Sequence, residues 1–128
     1  MGLGQSLEKI NDNNIDNNIK GNQLRGRILR VVNVNQLIIA IEHNKTIKRI
    51  LCKGKGYKLK NINDRDIAIG KINCLLNMSN CLVTINAHGI NTTGELVVEI
   101  FNNRLEYSIN ELLLSESYIE PNDDIFFN

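Results

Sequence analysis

Large aromatic side chains are nearly missing from this chain: tryptophan is absent, aromatic residues make up 5% of 128 positions, and proline occurs once, at Pro121. A core must therefore be built from aliphatic residues, and any surface that stacks on bases or sugar rings has few platforms to offer. No apolar run approaches the ~20 residues of a helical membrane span, and no charged-then-apolar leader for secretion precedes the domain. The expected location is therefore the cytoplasm, with no secretion. Three cysteines, Cys52, Cys74 and Cys81, lack C-x-x-C spacing and form an odd set. That spacing argues against a metal centre and against a disulfide framework, and reads as small core residues in a reducing compartment. No metal and no cofactor is expected.

What is abundant is asparagine, at 21 positions, and isoleucine, at 19. Both have A/T-rich codons, which points to an AT-biased genome such as that of a parasite or a large DNA virus and makes each single Asn weak evidence of function. The sequons at Asn44, Asn77 and Asn91 read as by-products of that composition. Length and a 42% apolar content allow one core plus an arm. Net charge is +1, yet residues 1–64 hold 12 Lys/Arg against 5 Asp/Glu while residues 65–128 hold 3 against 9. Such asymmetry is expected either of a solvated surface or of a face for an anionic partner, nucleic acid or acidic lipid.

The first six residues, Met1-Gly2-Leu3-Gly4-Gln5-Ser6, satisfy the pattern for N-myristoylation at Gly2. One acyl chain gives only marginal, reversible membrane binding, so a second signal is required. The arm offers only Lys9 and Lys20 as cations, which leaves the basic half of the domain to supply it. Residues 1–24 read as a flexible arm, rich in Asn and Asp that favour local turns over helix. The alternative is a short helix using Leu7, Ile10, Ile15 and Ile19.

Residues 25–120 read as the folded domain and residues 121–128 as an acidic tail. Arg27–Val32 and Leu37–Ile41 are β-rich runs joined by a turn at Asn33 to Gln36, and a second turn at His43-Asn44-Lys45 leads into Thr46–Cys52. Asn63 or Asp64 is positioned to cap a helix with Ala68, Ile72, Leu75 and Leu76 on one face. Leu82–Ile85 and Glu95–Phe101 are the fourth and fifth strands, and Ser108 with Glu111 forms a capping box before Leu112, Leu113 and Leu114. Three strands, a helix, two strands and a helix (β-β-β-α-β-β-α) is the order of a mainly β, five-stranded Greek-key barrel of the OB type.

From Gly26 to Ile119 the chain resembles the staphylococcal-nuclease-like (thermonuclease) family. The resemblance rests on Gly26-x-Ile28-x-x-Val31-Val32-Asn33-x-Asn35, on Arg49-Ile50-Leu51 and on Leu105-x-x-Ser108-Ile109-Asn110-x-x-Leu113. It implies an OB barrel and, in an active member, one calcium ion held by carboxylates of the first hairpin and the end of strand three. Those positions match Asn35 and Gly54, with Asn33 as the neighbouring hairpin acid, and none carries a carboxylate. Where the family places Thr-Pro-Glu, with its general base, the chain has Lys55-Gly56-Tyr57. Arg49 matches the first phosphate-stabilising arginine, and Glu95 falls at the second. Residues 27–63 contain one acid, Glu42, so a hard cation that demands charged oxygens finds no ligand set there. The resemblance thus implies a degenerate site, a pseudoenzyme rather than a nuclease.

Other chemistry has little support: His43 and His88 lie in turn-like contexts without a nucleophile at catalytic spacing, and Glu106 and Glu111 read as helix-end charges. In place of acids the segment gathers bases. Lys48, Arg49, Lys53, Lys55, Lys58 and Lys60, with Lys45 beside them, are the predicted anion-binding residues, and Tyr57 is the one aromatic among them. The expected role is a catalytically inactive binding or scaffolding module, reversibly tethered to a membrane through Gly2 and meeting an anionic surface or a protein. The alternatives are a soluble nucleic-acid-binding OB module and a divergent nuclease.

Overall fold

The computed structural model describes residues 21, 23–78 and 80–126. Gly2 and most of the arm lie outside the described residues. Among the described residues seven strands and two α-helices follow in the order β1 (Gln23–Asn33), β2 (Gln36–His43), β3 (Thr46–Gly54), β4 (Tyr57–Leu59), α1 (Arg65–Asn77), β5 (Leu82–Ile90), β6 (Leu96–Asn102), α2 (Ile109–Leu114) and β7 (Ile119–Pro121). Five of the strands close a barrel in the order β1-β2-β3-β6-β5, which returns to β1. All pairings in it are antiparallel except β3 with β6, which run parallel from Cys52↔Leu96 to Gly54↔Val98. This is the expected OB-type barrel, with α1 inserted between the third and fourth barrel strands.

The sequence dictates this closure locally. In β2 and β3 the residues Leu37, Ile39, Ile41, Ile50 and Cys52 are all buried, and their period of two puts them on the inward face. The first hairpin turns on Val34-Asn35 alone, one residue tighter at each end than expected. Asn33 and Gln36 still pair across it, and Val34 is buried. The second hairpin turns on Asn44 and Lys45 at φ of 53° and 65°, the left-handed pair that suits the right-handed twist of the flanking strands. At Gly26 a Cβ would stand 2.9 Å from Ile39 Cγ2. Only glycine lets β1 approach β2 this closely.

Helix α1 buries Ala68, Ile72 and Leu76 and packs on β1, so the apolar face read from the sequence is the one used. Leu75 is half-buried at its edge. Capping differs from expectation. Asp64 holds the N-cap position without a side-chain bond. The cap bond lies one turn earlier, where Asn61 Oδ1 accepts from Asn63 N at 3.0 Å and starts the 3-10 turn Ile62–Asp64. In α2, Ser108 Oγ accepts from the Glu111 amide at 3.3 Å as expected. Asn110 on the same helix spans three elements: its Oδ1 accepts from Ile100 N, and its Nδ2 donates to Lys55 O and Val98 O.

Two features exceed the sequence reading. The fourth barrel strand, β5, runs on to Ile90 rather than ending at Ile85, with a bulge between Ala87 and Gly89. Strands β4 and β7 form a separate two-stranded sheet, with Tyr57↔Pro121 and Leu59↔Ile119 opposite each other. The expected boundary between domain and acidic tail at residue 120 therefore falls inside a strand, and residues 121–126 continue across the barrel surface.

Candidate functional site

The positions that the resemblance would match to metal ligands meet where the β1–β2 hairpin approaches the end of β3. Asn33 Oδ1 accepts from Val34 N at 2.8 Å and from Arg65 Nε at 3.2 Å, while Arg65 also donates to Val32 O at 3.2 Å. Asn33 thus pins helix α1 to the hairpin. Asn35 Nδ2 donates to Tyr57 O at 3.4 Å, a contact a carboxylate could not make because it has no proton to give.

Gly54 closes this corner. A Cβ built on it would lie 2.4 Å from Tyr57 Oη and 2.5 Å from Tyr57 Cε1, far inside van der Waals contact. Tyr57 is 1% exposed, and its hydroxyl donates to Val34 O at 2.9 Å. Burial raises its pKa well beyond the ordinary tyrosine range. Expected beforehand as the one stacking platform in the basic segment, Tyr57 is instead a core plug that no base can reach.

Glu95 enters beside this corner from the loop before β6. Its Oε2 accepts from Gln36 Nε2 at 2.8 Å, and its Oε1 from Asn91 Nδ2 at 3.1 Å and Thr93 Oγ1 at 2.9 Å. Burial works to raise its pKa, but those hydrogen bonds and the charge of Lys53 outweigh it and hold the carboxyl below its usual range. Asn91 Oδ1 in turn accepts from Thr93 N and Glu95 N. With its side chain buried and bonded in this way, Asn91 is committed to the loop. His88 lies nearby, its pKa lowered by desolvation and by Lys55 against the opposing pull of Glu99 and Asp124.

The bases predicted to bind anions do not share one face. In β3 the residues alternate, so Arg49, Leu51 and Lys53 face outward while Lys48 shares the inward parity of Ile50 and Cys52. Arg49 is buried to 4% exposure opposite Ala40, which is itself opposite Arg27 of β1. Lys53 is paired with Asp124, and Lys58 with Glu120 at 3.4 Å. Lys55 and Lys60 are exposed and outside every ion pair among the described residues.

Sequence reasoning missed the arginines of β1. Arg25 and Arg27 project outward beside a shallow groove of about 250 Å³ whose other walls are Ala40, Glu42, Ile47 and Leu82. Their alternation with Leu24, Gly26 and Ile28 was the available signal. Lys53 with Asp124 was missed for a different reason: the pair joins residues 71 positions apart. Among the described residues no group of three or more His, Cys, Asp or Glu side chains is placed to hold a metal ion, and no helix is long and apolar enough to cross a membrane.

In this corner, then, Glu95, Tyr57, Asn33 and Asn35 are each bonded to a structural partner, while of the bases Lys53 and Lys58 are paired with acids, Arg49 is buried, and Lys55 and Lys60 are exposed. No protein-family model matches the chain, and no curated protein matches it.

Proposed function

We propose that this barrel is a catalytically inactive, staphylococcal-nuclease-like binding or scaffolding module. It is held reversibly on the cytosolic face of a membrane by a myristoyl group on Gly2 together with the exposed bases of its surface. The observation that carries the first half is the packing of Tyr57 against Gly54: the ring fills the space a side chain at this position would need. Calcium does not fit the residues present. Asn35 directs its amide at a carbonyl, Gly54 has no room for a ligand, and hard cations require charged oxygens. Glu95, at the place matched to a phosphate-stabilising arginine, would repel a phosphate rather than hold it.

Support for an anionic surface comes from exposed Arg25, Arg27, Arg30, Lys45, Lys55 and Lys60, which form no ion pair among the described residues. Bases close to an anionic membrane contribute about 1 kcal/mol each, the kind of second signal a single acyl chain needs. Burial of Tyr57 favours this reading over single-strand binding, because OB modules of that kind add aromatic platforms to a basic groove. Arg27, Ala40 and Arg49 do lie in register on the outward β1–β3 face, where OB barrels commonly bind oligonucleotides. A soluble nucleic-acid-binding module is therefore the second reading.

The test is co-expression with an N-myristoyltransferase, followed by intact mass and flotation with phosphatidylserine vesicles. One myristoyl increment, with flotation lost in Gly2→Ala and weakened about fivefold by each of Lys55→Gln and Lys60→Gln, is the expected result. An unmodified mass, or flotation indifferent to Gly2→Ala, overturns the tether. Salt-dependent oligonucleotide binding without flotation would move the assignment to the second reading. Cleavage of DNA in calcium, magnesium or manganese that disappears in Arg49→Ala would restore an enzyme.

A further inference from the structure

We propose that Lys53 and the backbone amide of Gly56 form a cradle for a two-oxygen oxyanion, a carboxylate or a phosphate monoester, and that Asp124 occupies it as a built-in competing ligand. The assignment concerns the same basic segment but does not rest on acylation. It starts from the Lys53-Gly54-Lys55-Gly56 loop, where the amides divide their work. Gly54 N donates to Asn35 O and Lys55 N to Val98 O, which fastens the loop to the barrel. Gly56, at φ of +85°, turns its amide to the surface, and there it meets Asp124 Oδ2 at 3.0 Å. The second carboxylate oxygen, Oδ1, is taken by Lys53 Nζ.

This contact is built rather than incidental. The Asp124 side chain is 4% exposed and that of Lys53 13%, so both charges are withdrawn from water and each is a principal partner of the other. A fixed amide and an ammonium that grip two oxygens of one group are the elements from which anion sites are made.

The segment that delivers Asp124 is fastened by backbone bonds at intervals: Asn122 N to Gly56 O at 2.9 Å, and Thr92 N to Ile125 O at 3.0 Å, with a bridge between Asn91 and Phe126. It buries little apolar surface. Ile125 is 70% exposed, and residues 122–125 have no regular structure. Segments held this way open at low cost compared with a packed core. While closed, the tethered carboxylate competes at an effective concentration of order millimolar, so a free ligand binds with its affinity reduced accordingly.

The Gly56 amide reports the site directly in a ¹H–¹⁵N spectrum of the full chain titrated with inorganic phosphate and, separately, with acetate. In Asp124→Ala the Gly56 signal is expected to shift saturably at ligand concentrations about tenfold or more below those the wild type needs. The shift is expected to vanish in the Asp124→Ala, Lys53→Ala double variant. A response to phosphate alone identifies a phosphate ester, and a response to acetate alone a carboxylate. If Asp124→Ala loses its native spectrum, Asp124→Asn, which keeps the shape and removes the charge, replaces it. Gly56 signals that move at wild-type concentrations, do not move at all, or move equally without Lys53 overturn the proposal. The experiment uses unacylated protein, so its failure would leave the membrane reading standing.

Discussion

Asn33 and Asn35 stand on either side of Val34, and their side chains do opposite jobs: one accepts from Val34 N and Arg65, the other donates to Tyr57 O. An amide can do both and a carboxylate only the first, so the second asparagine is a structural requirement of this corner. Glu95 is the reverse case, a carboxylate whose three side-chain donors favour its charged form. Its folded pKa lies below the ordinary 4.5, so the folded protein binds its proton less readily than the unfolded chain does. The resulting stability is complete above that ordinary value and is lost as pH falls through the folded one. Thermal melts from about pH 6 to about pH 3 should show this loss in the wild type and a flatter profile in Glu95→Gln, which should also melt lower near pH 7. Parallel profiles for the two proteins would remove Glu95 from the account.

Among the elements, those with strong periodicity were legible. The alternation in β2 and β3, the Asn-Lys turn between them and the apolar face of α1 each follow from residue order alone. Strands β4 and β7 were not legible, because three residues each are too few to display a period and each finds its strand partner only in the other. The Asn61 cap was missed because Asn and Asp crowd residues 61–66, and only backbone geometry selects among them. Helix α2 has six residues, too short to persist alone in water, so burial of Ile109 and Leu113, together with its cap and Asn110, must hold it. Ser108→Ala should cost about 1 kcal/mol by denaturant titration. Ser108→Asp, which keeps an acceptor at the N-cap, should recover most of that loss.

Across the whole molecule the lopsided charge is answered from within only in part, at Lys53 and Lys58 of the basic half. The C-terminal segment reaches back with Glu116 to Lys71 of α1, Glu120 to Lys58 of β4 and Asp124 to Lys53 of β3. The three pairs differ in exposure, which decides their worth. Lys58 and Glu120 keep 49% and 36% of their side-chain surface in water, where such a pair is worth about 0–1 kcal/mol. Removing Asp124 leaves a largely buried ammonium with only the Gly54 carbonyl at 3.4 Å and the charge of Glu95 to answer it. Glu120→Gln should therefore change stability by less than about 0.5 kcal/mol and Asp124→Asn by about 1–3 kcal/mol, both by denaturant titration at one salt concentration. Equal losses for the two variants would mean that burial does not set the strength of these pairs.

Residue order by itself determined the barrel's strands, the two hairpins that join β1, β2 and β3, the helix between the third and fourth barrel strands, and the scarcity of acids in residues 27–63, where Glu42 stands alone. These are local properties, written in period, turn chemistry and composition. Tertiary structure alone decided that Tyr57 fills the space against Gly54, that Glu95 is held by Gln36 from 59 positions away, and that Asp124 sits on Lys53. Each depends on which distant segments the closed barrel brings together. A pattern of neighbours along the chain carries no record of that. The basic run visible in the sequence is thus divided by folding into charges that face solvent and charges answered by the chain's own acids.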